Sequence, residues 1–198
     1  GNTRQATRAH PARCGGREHG AARASVPEDE ATWLEPLTCL AATSGVTSRV
    51  KLLASIIILP QRNVLELMKT AATIDVLSRG RLVLGVGSGW NTRQMAALGY
   101  DSATRGQRMD EMLFVRRSAK GNTVPPFRGA QLVVPDGVPM APPAWPGHTA
   151  PLYIAGAGVN RPSIRRTLAY GDGWMPYSPV GQYHALALRG TLQELRDA

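Results

Sequence analysis

The residues whose spacing points to chemistry in this chain are glycines. Gly85, Gly87 and Gly89, with Ser88 among them, follow the short apolar run Leu82, Val83 and Leu84. A glycine-rich turn exposes backbone N–H groups with no Cβ in the way, so a phosphate approaches them closely. The rival is a turn that uses glycine only for its left-handed conformations, and spacing alone does not separate the two. A second turn, Gly156-Ala157-Gly158, follows the apolar run Pro151 to Ala155 and precedes a helix that starts near Pro162. Both run from a strand toward a helix N-terminus, the geometry that favours an anion. Two such turns on one face of a sheet point to a phosphorylated cofactor.

Other chemistry is thinly represented. Cys14 and Cys39 are the two cysteines, and neither sits in a Cys-x-x-Cys spacing, so no zinc site, other metal site or disulfide framework is expected. His148 and His184 read most simply as surface residues, and Asp110, set among Arg105, Arg108, Arg116 and Arg117, as part of a solvated helix face.

The elements that must position the glycine turns alternate in kind. Val50 to Leu59 is a continuous apolar and β-branched run closed by Pro60, the pattern of a strand buried on both faces of a parallel sheet. A helix follows from about Asn63, its N-cap, with Val64, Leu67, Met68, Ala71 and Ile74 on one stripe and Gly80 at its end. The strand at Leu82 then completes a βαβ unit, whose strands are parallel and whose crossover is right-handed. Helices are expected at Thr92 to Leu98 and Thr104 to Ser118, and a hairpin at Phe127 to Val134 within the proline-rich stretch Lys120 to Ala150. The strand Pro151 to Ala155, the helix from Pro162 to Gly171 and the short strand Gly173 to Pro176 form a second βαβ unit, and an amphipathic helix follows from Gln182 to Arg196. Ahead of all this, residues 1–30 are arginine-rich with little to bury, and read as disordered or poorly ordered; residues 31–198 read as the folded domain.

Composition bounds the function. With 43% hydrophobic and 19% charged residues the chain is globular, and no run approaches the ~18 apolar residues of a membrane span. The net charge of +9 is carried mostly by scattered arginines with no basic helix and no aromatic ladder, which argues against nucleic acid as a partner. A soluble cytoplasmic protein without membrane or nucleic-acid partners is expected.

Taken together, Leu59-Pro60-Gln61-Arg62-Asn63 and Ala71 through Trp90 resemble the luciferase-like monooxygenases, most closely the branch that uses the deazaflavin coenzyme F420. Ala97-Leu98-Gly99, Arg105-Gly106 with Asp110-Glu111, Phe127-Arg128-Gly129, Pro151 to Gly156 and Gly171-Asp172-Gly173-Trp174-Met175-Pro176 follow in the family's order, from roughly Trp33 to Pro179. The resemblance implies an α/β fold, the (β/α)8 TIM barrel of the luciferase-like type, with F420, or alternatively FMN, at its C-terminal face. It implies a non-prolyl cis peptide at Ser55-Ile56 behind the cofactor ring, and cofactor phosphate against Gly87, Ser88 and Gly89 and against Gly156 and Gly158. The implied chemistry is hydride transfer, or oxygen activation in the flavin branch, on a small organic substrate, with a homodimer as the assembly. No catalytic acid or base is assigned; His19, beside Glu18, echoes an acid–His pair of the family but follows no credible strand.

The sequence departs from the family pattern in three ways. The stretch before Trp33 lacks the apolar pattern of two further strands, the closing strand after Arg196 is absent, and Gln94 stands where an acid is expected. About four barrel strands are legible against the eight that close the fold, so the barrel is expected to be incomplete, the chain a truncated member, and its open edges a cause of association. Two rivals follow: a non-catalytic remnant of the family, and a Rossmann-type nucleotide-binding enzyme. The last needs an acid at the end of the next strand; Glu111 has the distance but falls in an expected helix.

Overall fold

Asn63 starts the helix that organises the fold: its side-chain oxygen accepts from the N–H groups of Leu65 and Glu66, closing the first turn. In the computed structural model, which describes residues 34–136, 138–140, 146, 149–157, 161–177, 189–190, 193 and 197, this helix is the second of five. They are α1 (Pro36–Val46), α2 (Val64–Ser78), α3 (Thr92–Ala97), α4 (Arg105–Ser118) and α5 (Arg161–Tyr170). The strands are β1 (Leu52–Ile58), β2 (Leu82–Gly87), β3 (Thr123–Val124), β4 (Phe127–Arg128), β5 (Val133–Val134), β6 (Val138–Pro139), β7 (Leu152–Ala157) and β8 (Gly173–Tyr177). The segment 1–30 and residues 182–188 at the start of the last expected helix lie outside the described residues, as do His19, His148, His184 and Gly158.

β1, β2, β7 and β8 form one parallel sheet in that order, and both expected βαβ units are present. The described helices cover one face. Leu52, Ala54 and Ile57 of β1, Leu82, Leu84 and Val86 of β2, and Leu152 and Ile154 of β7 are buried with Leu67, Ala71 and Ile74 of α2 and Met109, Met112, Leu113 and Val115 of α4. On β1 the alternate residues Leu53 and Ser55 are exposed, Leu53 by 42%. The expectation of a strand buried on both faces is therefore corrected: the second face of β1 turns toward the hollow of a barrel, and no described element closes over it.

The hairpin is present and longer than expected. β4 pairs with β5, and outside them β3 pairs with β6, so the proline-rich stretch is partly a nested antiparallel excursion. At the opposite end of the sheet, buried Arg81 fixes the entry to β2. Its guanidinium donates to the backbone oxygens of Ser78, Val50, Ser44 and Thr47 and to the Thr47 hydroxyl at 2.7–3.1 Å, tying the ends of α1 and α2 together. α2 itself ends through Arg79 in the left-handed region, φ 57°, followed by Gly80 at φ 76°.

Candidate functional site

In a parallel sheet of this kind, ligands bind beyond the carboxyl ends of the strands. β1 reaches that edge irregularly. Its ladder with β2 runs Leu52–Leu82, Leu53–Val83 and Ala54–Leu84, then resumes at Ile57–Val86, so Ser55 and Ile56 form a bulge. The peptide bond between Ser55 and Ile56 is cis. The Ser55 hydroxyl points into the hollow and lies 3.5 Å from the Met175 sulfur of β8, so side chains from the two outermost strands of the sheet meet across it.

The glycines of β2 serve this bulge. A Cβ on Gly85 would stand 2.4 Å from the Ala54 carbonyl oxygen, and one on Gly87 would stand 2.5 Å from Ile56 Cδ1. Gly85 and Gly87 thus lie within the strand rather than in a turn, which corrects the expected turn boundary: what their missing side chains leave is filled by β1 and, at Gly85, also by Met175 of β8, 3.1 Å from the Cβ position. Ser88 and Gly89 form the turn proper. Gly89 has φ +75°, and a Cβ there would meet Ile58 Cγ2 at 2.5 Å and Met95 Cε at 2.9 Å, so conformation and packing both require glycine. Gly156 is likewise a strand residue, opposite Pro176 in the β7–β8 register. Because β2 pairs with β7, the carboxyl ends carrying Gly87 and Gly156 are neighbours; the Cβ position of Gly87 is 3.7 Å from Ala155 Cβ.

The loops beyond these ends are tied to one another. Gln61, after β1, donates its amide to the Gln94 side-chain oxygen of α3 at 3.2 Å, so the residue standing where an acid was expected still receives a hydrogen bond. Arg62 pairs with Glu35 at 2.7 Å. Partial burial pushes the Glu35 carboxyl up, but the Thr38 and Leu37 N–H groups, the Thr38 hydroxyl and Arg62 outweigh it, and its pKa falls below the usual value. Trp90, just past the glycine turn, is 61% exposed.

Farther down α4, Asp110 is no solvated face residue. It accepts from Arg166 Nε at 2.6 Å and from Arg165 at 2.7 Å, both on α5, which corrects the sequence reading. Glu111 is in α4, as expected, and accepts from the N–H groups of Ala130, Gln131 and Leu132, so it closes the hairpin turn and is not a ribose-binding acid at a strand end. Among the described residues no cluster of metal-ligating side chains occurs, and the groove along α5, lined by Arg161, Ile164, Arg165, Leu168 and Ala169, belongs to the helix layer. Sequence reasoning missed Met175 as a residue of the site. The alternation along β8, a period of two from Gly173, was the available signal.

A curved parallel sheet with helices on one face and glycine-bearing strand ends at one edge defines part of a (β/α) barrel of the kind that carries ligands at its C-terminal face. A family model for luciferase-like monooxygenases matches residues 17–196, and the chain belongs to that family. An uncharacterized protein of Mycobacterium tuberculosis is 30% identical over 156 residues, covering 77% of this chain and 53% of that protein. Among solved structures, an F420-dependent secondary alcohol dehydrogenase in complex with an F420–acetone adduct superposes with a TM-score of 0.66 at 20% identity, covering 84% of this chain and 52% of that one. The oxygenating constituent of 3,6-diketocamphane monooxygenase from Pseudomonas putida, in complex with FMN, superposes with a TM-score of 0.60 at 20% identity over 73% of this chain and 42% of that one. The chain spans about half the length of the mycobacterial relatives it matches. No described helix is long and apolar enough to cross a membrane.

Proposed function

We propose that this chain carries the cofactor-facing half of an oxidoreductase that binds coenzyme F420, with FMN as the alternative, and acts on a small organic molecule. The observation that carries the reading is the adjacency of two glycine-bearing strand ends, Gly87–Gly89 on β2 and Gly156 on β7, beside the Ser55–Ile56 bulge at one edge of the sheet. The F420 and FMN complexes of two structural neighbours support it at the level of the cofactor class.

In this reading Ser88 and Gly89 offer backbone N–H groups to the cofactor phosphate beside Gly156, and Ser55 and Ile56 back the ring. A bound deazaflavin supplies hydride transfer, and a flavin adds oxygen activation; the protein orients the ring and excludes water. Ile56 is held against Gly85 and Gly87, so the surface behind the ring is set by packing inside the sheet. The substrate side falls to the 120–150 excursion, and the working assembly is a homodimer in the cytoplasm.

Titration of the purified chain with F420 and with FMN, followed by cofactor fluorescence, tests this. Saturable binding of one of them at micromolar concentration is expected. Absence of binding of both at millimolar concentration favours the non-catalytic remnant.

A further inference from the structure

One side chain joins the two loops that flank the carboxyl end of β1, and no glycine turn or cofactor contact accounts for it. Arg108 lies in the first turn of α4. Its Nε donates to the Pro60 carbonyl at 2.9 Å, one terminal nitrogen to the Arg62 carbonyl at 3.1 Å, and the other to the Gln131 carbonyl at 3.2 Å. The Tyr100 ring lies 4.2 Å from the guanidinium carbon. Three residues on, on the same helix face, Glu111 holds the other side of the hairpin turn through the N–H groups of Ala130, Gln131 and Leu132.

We propose that Arg108 is a positioning residue for the cofactor site, holding the loop after the Ser55–Ile56 bulge and the 129–132 turn in one fixed arrangement. A planar guanidinium stacked on an aromatic ring reaches three carbonyls in a single geometry, which the ammonium of lysine does not. Gln61 and Arg62 are also tied to Gln94 and Glu35, and the 130–132 turn to Glu111, but the carbonyls of Pro60 and Arg62 are two residues apart and Gln131 comes from a separate excursion, so the guanidinium is a contact that both loops share. Loss of the clamp frees the residues that follow β1 directly, and through them Ile58, which packs against Gly89. This inference rests on the cofactor reading above.

The test uses Arg108→Lys beside Arg116→Lys, a control at the far end of α4 whose guanidinium donates to the Ala150 carbonyl. Two quantities are measured: hydrogen exchange at the amides of Arg62, Ala130, Gln131 and Leu132 without cofactor, and the F420 or FMN dissociation constant. In Arg108→Lys, exchange at these four amides rises at least tenfold while α2 amides keep their protection, and the dissociation constant rises about tenfold; Arg116→Lys leaves both unchanged. Unaltered exchange in either loop, a rise spread over the whole chain, or unchanged affinity in a variant whose loops have loosened overturns the role of Arg108. A wild-type chain that binds neither cofactor overturns the functional reading instead, so the two failures are told apart.

Discussion

Gly85 and Gly87 differ by two positions in one strand, yet their neighbours make them unequal. The Cβ of an alanine at Gly85 would run into the carbonyl oxygen of Ala54, and a strand backbone gives way only if the sheet opens. The Cβ of an alanine at Gly87 meets the terminal methyl of Ile56, which moves by rotation. Gly85→Ala is therefore expected to cost about 3 kcal/mol, the upper part of the overpacking range, and Gly87→Ala about 1 kcal/mol, both read by urea unfolding. Gly87→Ala displaces the side chain at the bulge, so its loss of cofactor affinity should exceed its loss of stability. The reverse ranking of the two stabilities contradicts the packing described. At this scale the sequence showed which residues were special but not why. Glycine spacing is the same for a phosphate cradle and for a close approach between strands, and which neighbour fills the space depends on Ile56, a residue thirty positions upstream.

Between elements, one arginine cluster ties the ends of α1 and α2 to the entry of the sheet, and another joins α4 to α5. Arg81 spends its donors on four backbone carbonyls and one hydroxyl, at 8% exposure. Lysine keeps the charge but leaves buried acceptors unmet, so Arg81→Lys is expected to destabilise by about 2–3 kcal/mol in chemical denaturation. Asp110 adds a pH dependence. Partial burial pushes its carboxyl up, but the hydrogen bonds and charges of Arg166 and Arg165 prevail, and the folded pKa lies below the ordinary 3.8. The contribution to stability is whole above that ordinary value and is lost as the pH falls through the folded one. Stability measured between pH 5 and 2 should fall less steeply in Asp110→Asn than in the wild type, and identical slopes would remove Asp110 from acid unfolding. The second helix was legible, because Asn63 and the stripe from Val64 to Ile74 are local signals. The Asp110 cluster was not, since a helix face rich in arginine looks solvated until α5 is folded against it.

For the molecule as a whole, the described helices cover one side of the four-stranded sheet and no described element closes over the other, with β1 and β8 at its two edges. Parallel edges with which no described strand pairs, and an exposed Leu53, favour self-association. Sedimentation velocity of the 198-residue chain is expected to show association that grows with concentration and weakens in Leu53→Lys; a concentration-independent monomer would contradict it. Strand order and the family were readable from one colinear series of motifs. The hollow face was not, because β1 is apolar at nearly every position and its alternation of burial appears only once β2 and β7 are beside it. In the proposed function a flavin-type cofactor lies across the carboxyl ends of β1, β2 and β7. Amide chemical shifts of the isotope-labelled chain, followed during titration with F420 and with FMN, test it most directly. Saturable shifts concentrated at Ile56 to Ile58, Gly87 to Trp90 and Ala155 to Gly156 are predicted. Shifts confined to α5, or none at millimolar cofactor, would exclude this cofactor placement.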